Sequence, residues 1–265
     1  MTILAGVAGR PIAHSLSPLI HTTWIKTAEL DAEYRAFGPE DGAGFAALVT
    51  DGRAGRLRGL NVTAPFKELA LALADDASAT ARKCGSANLL LFQDGRVWAE
   101  STDGAGLIGA LAEQAPELDV RGQSVVLLGA GGAARAAVAA LKAAGADVGV
   151  LNRTRARAEA LTADLGVTVV EARALNEAAL VINALSVPPD IEVSRLRDDA
   201  VLMDMTYRPL LTPFLLQGRS RGLTTVDGLA MLIGQARPSF RVIFGIEPPP
   251  IDVRTEALTA LGEAP

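Results

Sequence analysis

The sequence predicts an α/β protein in two units, the second a doubly wound parallel sheet, and three observations carry that expectation. Apolar segments of strand length alternate with Ala-rich segments of helix length along most of the chain, the rhythm of strands covered by helices. A run of Val and Leu, residues 124–128, passes into Gly129-Ala130-Gly131-Gly132 and then into another Ala-rich stretch, which reads as a buried strand, a Gly-rich turn and a helix start. Finally, 265 residues, 49% apolar but only 4% aromatic, suffice for one or two domains with a core of Ala, Val, Leu and Ile.

Taken in order, 3–8 reads as a strand and 17–30 as a helix, with Ser17 as N-cap and Pro18 at the first helical position. The next strand is 34–37, followed by a helix over 45–50, a strand over 57–62 and a helix over 65–74. Residues 87–92 and 97–99 form a hairpin around Asp94-Gly95, which completes the first α/β unit. From Asp103 a long helix leads through Pro116 and Arg121-Gly122 to the strand 124–128 and the second unit. That unit continues with a helix over 131–144, a strand over 148–151, a helix over 154–165, and strands near Val167, Leu180 and Val201, with the switch of direction near Gly129. After Asp227 the chain is helical through Met231 and Phe240, and a last helix near 255–261 follows Pro248 to Pro250. These closing helices are free to return to the first unit.

Composition narrows the function. A net charge of −5 and a pI near 5.2 oppose binding to a phosphate backbone. No charge-free stretch has the roughly 18 apolar residues of a membrane span: 178–189 contains Asn183, Ser186 and two prolines. The N-terminus lacks a basic segment before its apolar run, so a cytoplasmic protein is expected. One cysteine, Cys84, allows no internal disulfide, and with only His14 and His21 beside it no metal is expected. The two histidines are expected to serve packing and local hydrogen bonds, and Cys84 to be a buried small hydrophobe. Small-molecule chemistry remains.

Gly129, Ala130, Gly131, Gly132, Ala133 and Ala134 match the dinucleotide-binding pattern G-x-G-x-x-A. Gly129 permits the tight turn, Gly131 lets a pyrophosphate approach the backbone, and Ala134 keeps helix and strand close. A ligand-free turn is the alternative. Where an NAD enzyme places an acid at the end of the next strand, this chain has Asn152-Arg153-Thr154. Arg153 and Arg157 can bind a 2′-phosphate that an acid would repel, Thr154 can bind one of its oxygens, and Arg155 is the expected bystander; NADP is favoured over NAD.

Three polar clusters lie outside that loop. Ser15 and Ser17 face the same way in an extended segment and can grip a carboxylate. Asn61 and Thr63 share a face at a strand end, with Lys67 in the first helical turn after Pro65, where the helix dipole disfavours a cation. Ser101-Thr102-Asp103-Gly104 supplies a carboxylate at the start of the linking helix.

Together with Pro11-Ile12, His14 to Pro18, Gly59 to Thr63, Asn88, Thr102-Asp103-Gly104, Asn152-Arg153-Thr154, Asp204-Met205, Tyr207, Gly228-Leu229 and Gln235-Ala236, these motifs make the chain resemble the shikimate dehydrogenase family from its N-terminus to about Phe244. The resemblance implies a discontinuous substrate-binding domain, 1–102 with 228–265, around a Rossmann-type NADP-binding domain, 103–227, with the active site in the cleft between them. It implies reversible reduction of 3-dehydroshikimate to shikimate by NADPH. Lys67 and Asp103 would be the catalytic pair. Ser15, Ser17 and Tyr207 would hold the carboxylate, and Asn61, Asn88, Asp103 and Gln235 the ring hydroxyls, with Thr63 in support. Met205 and Gly228 would flank the nicotinamide. The partners expected are the small-molecule substrate and cofactor, with no nucleic acid or membrane, and the protein itself a monomer or homodimer. Leu89, Ser101, Leu185 and Pro188 depart from the family pattern, which keeps open a quinate/shikimate dehydrogenase or a paralogue acting on a related cyclohexene carboxylate. An NADP-binding sensor of low activity is a third possibility.

Overall fold

The computed structural model describes residues 2–263. Two compact units emerge: the chain up to Thr102 together with the chain from Gln235 onward, and Asp103–Gly234.

The first unit begins β1 (Ile3–Ala8), α1 (Ser17–Thr27), β2 (Ala32–Phe37), α2 (Gly42–Arg53), β3 (Gly59–Val62), α3 (Lys67–Ala72), β4 (Asp76–Ala77), α4 (Ala79–Cys84), β5 (Leu89–Gln93) and β6 (Arg96–Glu100). Its sheet runs β2-β1-β3-β5-β6-β4. Strand β1 pairs in parallel with β2 and β3, whereas β5 runs antiparallel to both β3 and β6. The β5–β6 hairpin turns at Asp94 and Gly95, both at positive φ (52° and 74°), the tight turn that an Asp-Gly pair favours. On one face Leu60, Val62, Leu90 and Phe92 meet Phe45 and Val49 of α2, Phe66, and Ala81 of α4, with the Phe45 and Phe66 rings stacked at 5.0 Å.

Local chemistry corrects several boundaries. Ser17 is the first helical residue of α1 and not its cap; Leu16 precedes the helix, no side chain caps it, and the helix stops at Thr27 rather than Leu30. Helix α2 starts earlier than expected because Asp41 caps it, accepting from the Gly44 N–H at 2.8 Å. Helix α3 begins at Lys67 rather than Pro65, since residues 63–66 form a turn closed by the Phe66 N–H on the Thr63 carbonyl and containing a cis Ala64–Pro65 peptide. Strand β4 and helix α4 were not expected, although Ser78 caps α4 and Gly85 ends it at φ 66°, as such residues do.

The second unit contains α5 (Asp103–Gln114), β7 (Ser124–Leu128), α6 (Gly132–Ala143), β8 (Asp147–Leu151), α7 (Arg155–Leu165), β9 (Thr168–Val169), β10 (Leu180–Asn183), β11 (Val201–Asp204), α8 (Pro213–Ser220) and β12 (Thr224–Val226). Short 3₁₀ turns precede β10 and β11. Every neighbouring pair is parallel, in the order β12-β11-β10-β7-β8-β9. The chain winds outward from β7 through β8 to β9, then restarts beside β7 at β10. That is the doubly wound order, with its switch point between the ends of β7 and β10.

Helix α9 (Gly228–Phe244) follows, and the division between the two compact units falls inside it, after Gly234. Pro238 sits within this helix and has no N–H to offer the Gly234 carbonyl. The last helix, α10 (Val253–Leu261), is capped by Asp252, which accepts from the Arg254 and Thr255 N–H groups. Among the described residues no helix is long and apolar enough to cross a membrane.

Candidate active site

In the first unit the pairing directions gather the polar positions at one edge of the sheet. The segments after β1 and β3, the residue before β5 and the residues after β6 all emerge there, because β5 is antiparallel to its neighbours. Ser15, Ser17, Thr63, Lys67, Asn88 and Thr102 belong to these segments, and Asn61 lies near the same end of β3 itself. The stretch holding Ser15 and Ser17 is not extended as expected: the Ser15 N–H closes a turn on the Ile12 carbonyl, and the Ser15 hydroxyl accepts from the Ser17 N–H at 3.3 Å. The pair therefore stands at the N-terminus of α1, where backbone N–H groups and the helix dipole favour an anion. Thr63 presses its methyl against Gly9, leaving no room there for a Cβ. Lys67, half-buried, opens α3.

Asn61, Asn88, Thr102, Gln235 and Ser239 form one buried network. Asn61 Nδ2 donates to the Asn88 carbonyl (3.2 Å) and to Ser239 Oγ (2.9 Å), while Asn61 Oδ1 accepts from the Tyr34 hydroxyl (2.8 Å). Asn88 Nδ2 donates to Thr102 Oγ1 (2.9 Å) and Gln235 Oε1 (3.1 Å), and Asn88 Oδ1 accepts from the Thr102 N–H (2.7 Å). Of these, Asn61, Asn88 and Gln235 were expected at the site; Tyr34, Thr102 and Ser239 had been assigned no role. The Ser239 signal was present in the sequence, one helical turn after Gln235 on the same face.

Behind the network lies an aromatic nest. His21 stacks on Tyr34 with centroids 4.1 Å apart and planes within 1°, and Trp24 and Phe240 close around them. Neither His21 nitrogen has a hydrogen-bond partner, so the expected local hydrogen bonds are not made and the ring acts by packing alone. Burial pushes its pKa down to about 3, which keeps it neutral. Burial also raises the Tyr34 phenol well above its usual value. His14 is exposed, whereas Cys84 is buried as expected.

In the second unit Gly129, Asn152, Met205 and Gly228 follow the carboxyl ends of parallel strands and Asn183 ends β10, where open α/β sheets bind ligands. Gly129 takes φ +117°, and a Cβ there would press on Leu185 and the Ala184 backbone; Gly131 faces open space. No side chain caps α6 at Gly131, so Gly132, Ala133 and the residues beside them offer free N–H groups to an anion. Helix α7 is likewise uncapped, and the Asn152 amide donates to the Thr154 carbonyl at 2.8 Å. Arg155 is engaged with Glu159 at 2.8 Å. Arg153 and Arg157 are exposed and form no ion pair among the described residues, which fits them to a phosphate. The Gly-rich turn, the uncapped helix and these two cations fit a phosphorylated dinucleotide.

At the ends of β10 and β11, Asn183 donates to both Asp204 oxygens (3.1 Å each), and Asp204 also accepts from Thr212 Oγ1 (2.8 Å) and the Thr206 N–H (2.9 Å). This buried clamp, which carried no expectation, holds the loop bearing Met205 and Tyr207. Gly228 sits so close to that loop that a Cβ would lie 2.5 Å from the Met205 carbonyl oxygen. Met205 and Gly228 are thus brought together. Tyr207 and Asp103 belong to this unit. Asp103 is the buried first residue of α5. Among the described residues no group of three or more His, Cys, Asp or Glu could hold a metal ion.

Two family profiles match the chain: one described as the shikimate dehydrogenase substrate binding domain over residues 7–90, the other as shikimate / quinate 5-dehydrogenase over residues 110–188. A curated relative from Caulobacter vibrioides, shikimate dehydrogenase (NADP(+)), is 51% identical over 98% of this chain and 96% of its own. The chain belongs to the shikimate dehydrogenase family. Among solved structures, shikimate 5-dehydrogenase from Thermus thermophilus, in complex with NADP(H) and shikimate, is 34% identical with a TM-score of 0.88, covering 98% of this chain and 99% of that one. A quinate dehydrogenase from Corynebacterium glutamicum in complex with NAD reaches 28% and 0.83 over 93% and 95%. Against the shikimate dehydrogenase pattern, the unusual Leu89 is fully buried and lies opposite Asn61 in the β3–β5 register. Leu185 packs beside Gly129, and its N–H bonds to Asn183 Oδ1 at 3.1 Å.

Proposed function

We propose that this chain is an NADP-dependent shikimate dehydrogenase, reducing the C3 ketone of 3-dehydroshikimate reversibly to shikimate. The observation that carries the reading is its likeness, along essentially the whole chain, to a curated NADP-dependent shikimate dehydrogenase; the gathered polar edge of the first unit supports it independently. The first unit is assigned to the substrate and the second to the cofactor.

Ser15 and Ser17, at the N-terminus of α1, are assigned to the substrate carboxylate together with Tyr207, and Asn61, Asn88, Asp103 and Gln235 to ring hydroxyls, with Thr63 supporting them. Gly129, Ala130, Gly131, Gly132 and Ala133 would receive the pyrophosphate, Asn152, Arg153, Thr154 and Arg157 the 2′-phosphate, and Met205 and Gly228 the nicotinamide. Bound NADPH supplies the hydride. As the ketone oxygen gains charge, the Lys67 ammonium stabilises the alkoxide and protonates it, leaving the C3 hydroxyl. Asp103 is the proposed partner that orients Lys67. In the oxidative direction the same groups take up the proton that the hydroxyl releases.

A quinate/shikimate dehydrogenase is the second reading, favoured by Leu89, which offers no hydroxyl beside Asn61. A reaction that draws on NADPH requires a compartment where the cofactor is kept reduced, which supports a cytoplasmic enzyme; a monomer or homodimer is proposed. Purified protein offered shikimate or quinate with NADP or NAD, followed by absorbance of the reduced nicotinamide, tests the assignment. Fastest turnover is expected with shikimate and NADP. Preference for quinate would replace the first reading by the second, and no turnover of either would favour a sensor.

A further inference from the structure

We infer that Tyr34 and Ser239 are positioning residues that hold the Asn61 amide in one orientation, so that Asn61 accepts a hydrogen bond from a substrate hydroxyl and cannot donate one. The inference rests on the assignment of Asn61 to the substrate.

An Asn side chain has two N–H donors and an oxygen with two lone pairs. Both Asn61 donors are occupied, one by the Asn88 carbonyl at 3.2 Å and one by Ser239 Oγ at 2.9 Å. One lone pair of Oδ1 receives the Tyr34 proton at 2.8 Å. Rotating the amide by half a turn would set Oδ1 against the Asn88 carbonyl oxygen, two acceptors with no proton between them. Ser239 offers no relief, because its hydroxyl donates to the Gln235 carbonyl at 3.0 Å, one turn back in α9. With that proton committed, Ser239 cannot donate across the 3.2 Å to Thr102, whose own proton faces Ser239, Asn88 Oδ1 (3.3 Å) and Gln235 Oε1 (3.4 Å). The Ser239 oxygen therefore serves Asn61 as an acceptor, and the hydroxyl is completely buried.

Tyr34 is held just as firmly. Its ring lies flat against His21 at 4.1 Å, inside a nest closed by Trp24 and Phe240. The phenol keeps its proton because burial disfavours the phenolate, so it remains a donor. One lone pair of Asn61 Oδ1 is all that is left on a side chain that is only 5% exposed. A ring hydroxyl can donate to it, whereas a carbonyl or ether oxygen at the same ring position would meet a lone pair. Burying polar groups without partners is costly, so this position discriminates by hydrogen-bond direction as well as by shape.

The test compares wild type with Tyr34→Phe, Ser239→Ala, Asn61→Ala and Trp24→Phe. Steady-state kinetics are run with shikimate and with two analogues, each lacking one of the non-reacting ring hydroxyls. Tyr34→Phe and Ser239→Ala are expected to raise the shikimate KM by about 2- to 12-fold, the worth of a neutral hydrogen bond. The kcat and the NADP KM should stay within about twofold of wild type, since the affected contact serves ground-state binding. With one of the two analogues the KM penalty should vanish, because the hydroxyl that Asn61 reads is missing. Trp24→Phe removes an indole whose nitrogen has no partner and should lower Tm without moving KM. If Tyr34→Phe and Ser239→Ala behave like Trp24→Phe, or if their penalty persists with both analogues, the inference fails. Should Ser239→Ala not fold, Tyr34→Phe decides, since it removes one oxygen and keeps the stacked ring. An unchanged KM in Asn61→Ala would overturn the inference alone, whereas no turnover of shikimate by wild type would overturn the functional reading and the inference with it.

Discussion

Mild acid is expected to destabilise the first unit through His21. The imidazole is fully buried with neither nitrogen bonded, and its pKa falls from 6.5 to about 3 on folding. A base whose pKa is lowered by folding binds its proton more readily in the unfolded chain. Its neutral form therefore leaves stability intact above pH 6.5, and stability is lost as pH falls from there toward 3, with a slope of about 1.4 kcal/mol per pH unit. Between pH 7 and pH 5 the loss comes to roughly 1.9 kcal/mol, a figure that hardly depends on the folded pKa while it stays well below 5. For a chain of this length that corresponds to roughly 3–4 °C in Tm. Asp75, held low first by its Arg53 hydrogen bond, and Asp252, held low first by Thr255, titrate below this window and do not contribute. Both tryptophans, Trp24 and Trp98, lie in the first unit, so urea unfolding followed by intrinsic fluorescence reports on it directly. His21→Phe keeps a ring against Tyr34 but cannot titrate, and its stability should stay nearly flat over the same range. Parallel pH profiles for wild type and His21→Phe would refute the reasoning.

Arg153→Ala and Arg157→Ala should each weaken NADP binding by about 10-fold, the lower end for a bond to a charged group because both side chains are exposed, while NAD binding changes little. Calorimetric titration distinguishes this from equal losses for both cofactors, which would remove the 2′-phosphate assignment. Lys67→Ala should lower kcat on the order of 10²–10⁴-fold with a much smaller change in the shikimate KM; a retained kcat with only KM raised would reduce Lys67 to substrate holding. Gly228→Ala would place a methyl group 2.5 Å from the Met205 carbonyl oxygen, and forcing that backbone apart should cost about 1–3 kcal/mol. Thermal unfolding and NADP affinity should both decline, and no change in either would show that the loop yields freely.

The parts of the fold that could be read from the sequence are those in which local pattern and tertiary environment agree. Strands β1 and β7 have the expected limits because β1 is an apolar run and β7 is one after its opening Ser124. The β5–β6 hairpin follows from Asp94-Gly95, whose positive φ angles need those residue types. Elements that depend on neighbours were not legible: β4 and β12 have two and three residues, too few for any periodicity, and they exist because a longer strand beside them supplies hydrogen bonds. The start of α3 was misplaced because Pro65 is a good first helical residue, and nothing local shows that it belongs to the turn before Lys67.

The candidate site divides along the same line. A glycine pattern constrains its own backbone, so Gly129 and Gly131 can be read locally, and the uncapped N-terminus of α6 follows from the absence of a polar cap in that pattern. A polar residue in a strand is different, because a ligand contact and an internal hydrogen-bond network ask for the same side chain. Asn61 illustrates this. Three of its four hydrogen-bonding positions are taken by Tyr34, Asn88 and Ser239, which lie 27, 27 and 178 residues away. The strand pattern shows that Asn61 is polar where an apolar residue would pack; only its partners in the folded chain decide which lone pair is left over. The chemistry available to a substrate at that position is therefore set by residues that need not touch the substrate themselves.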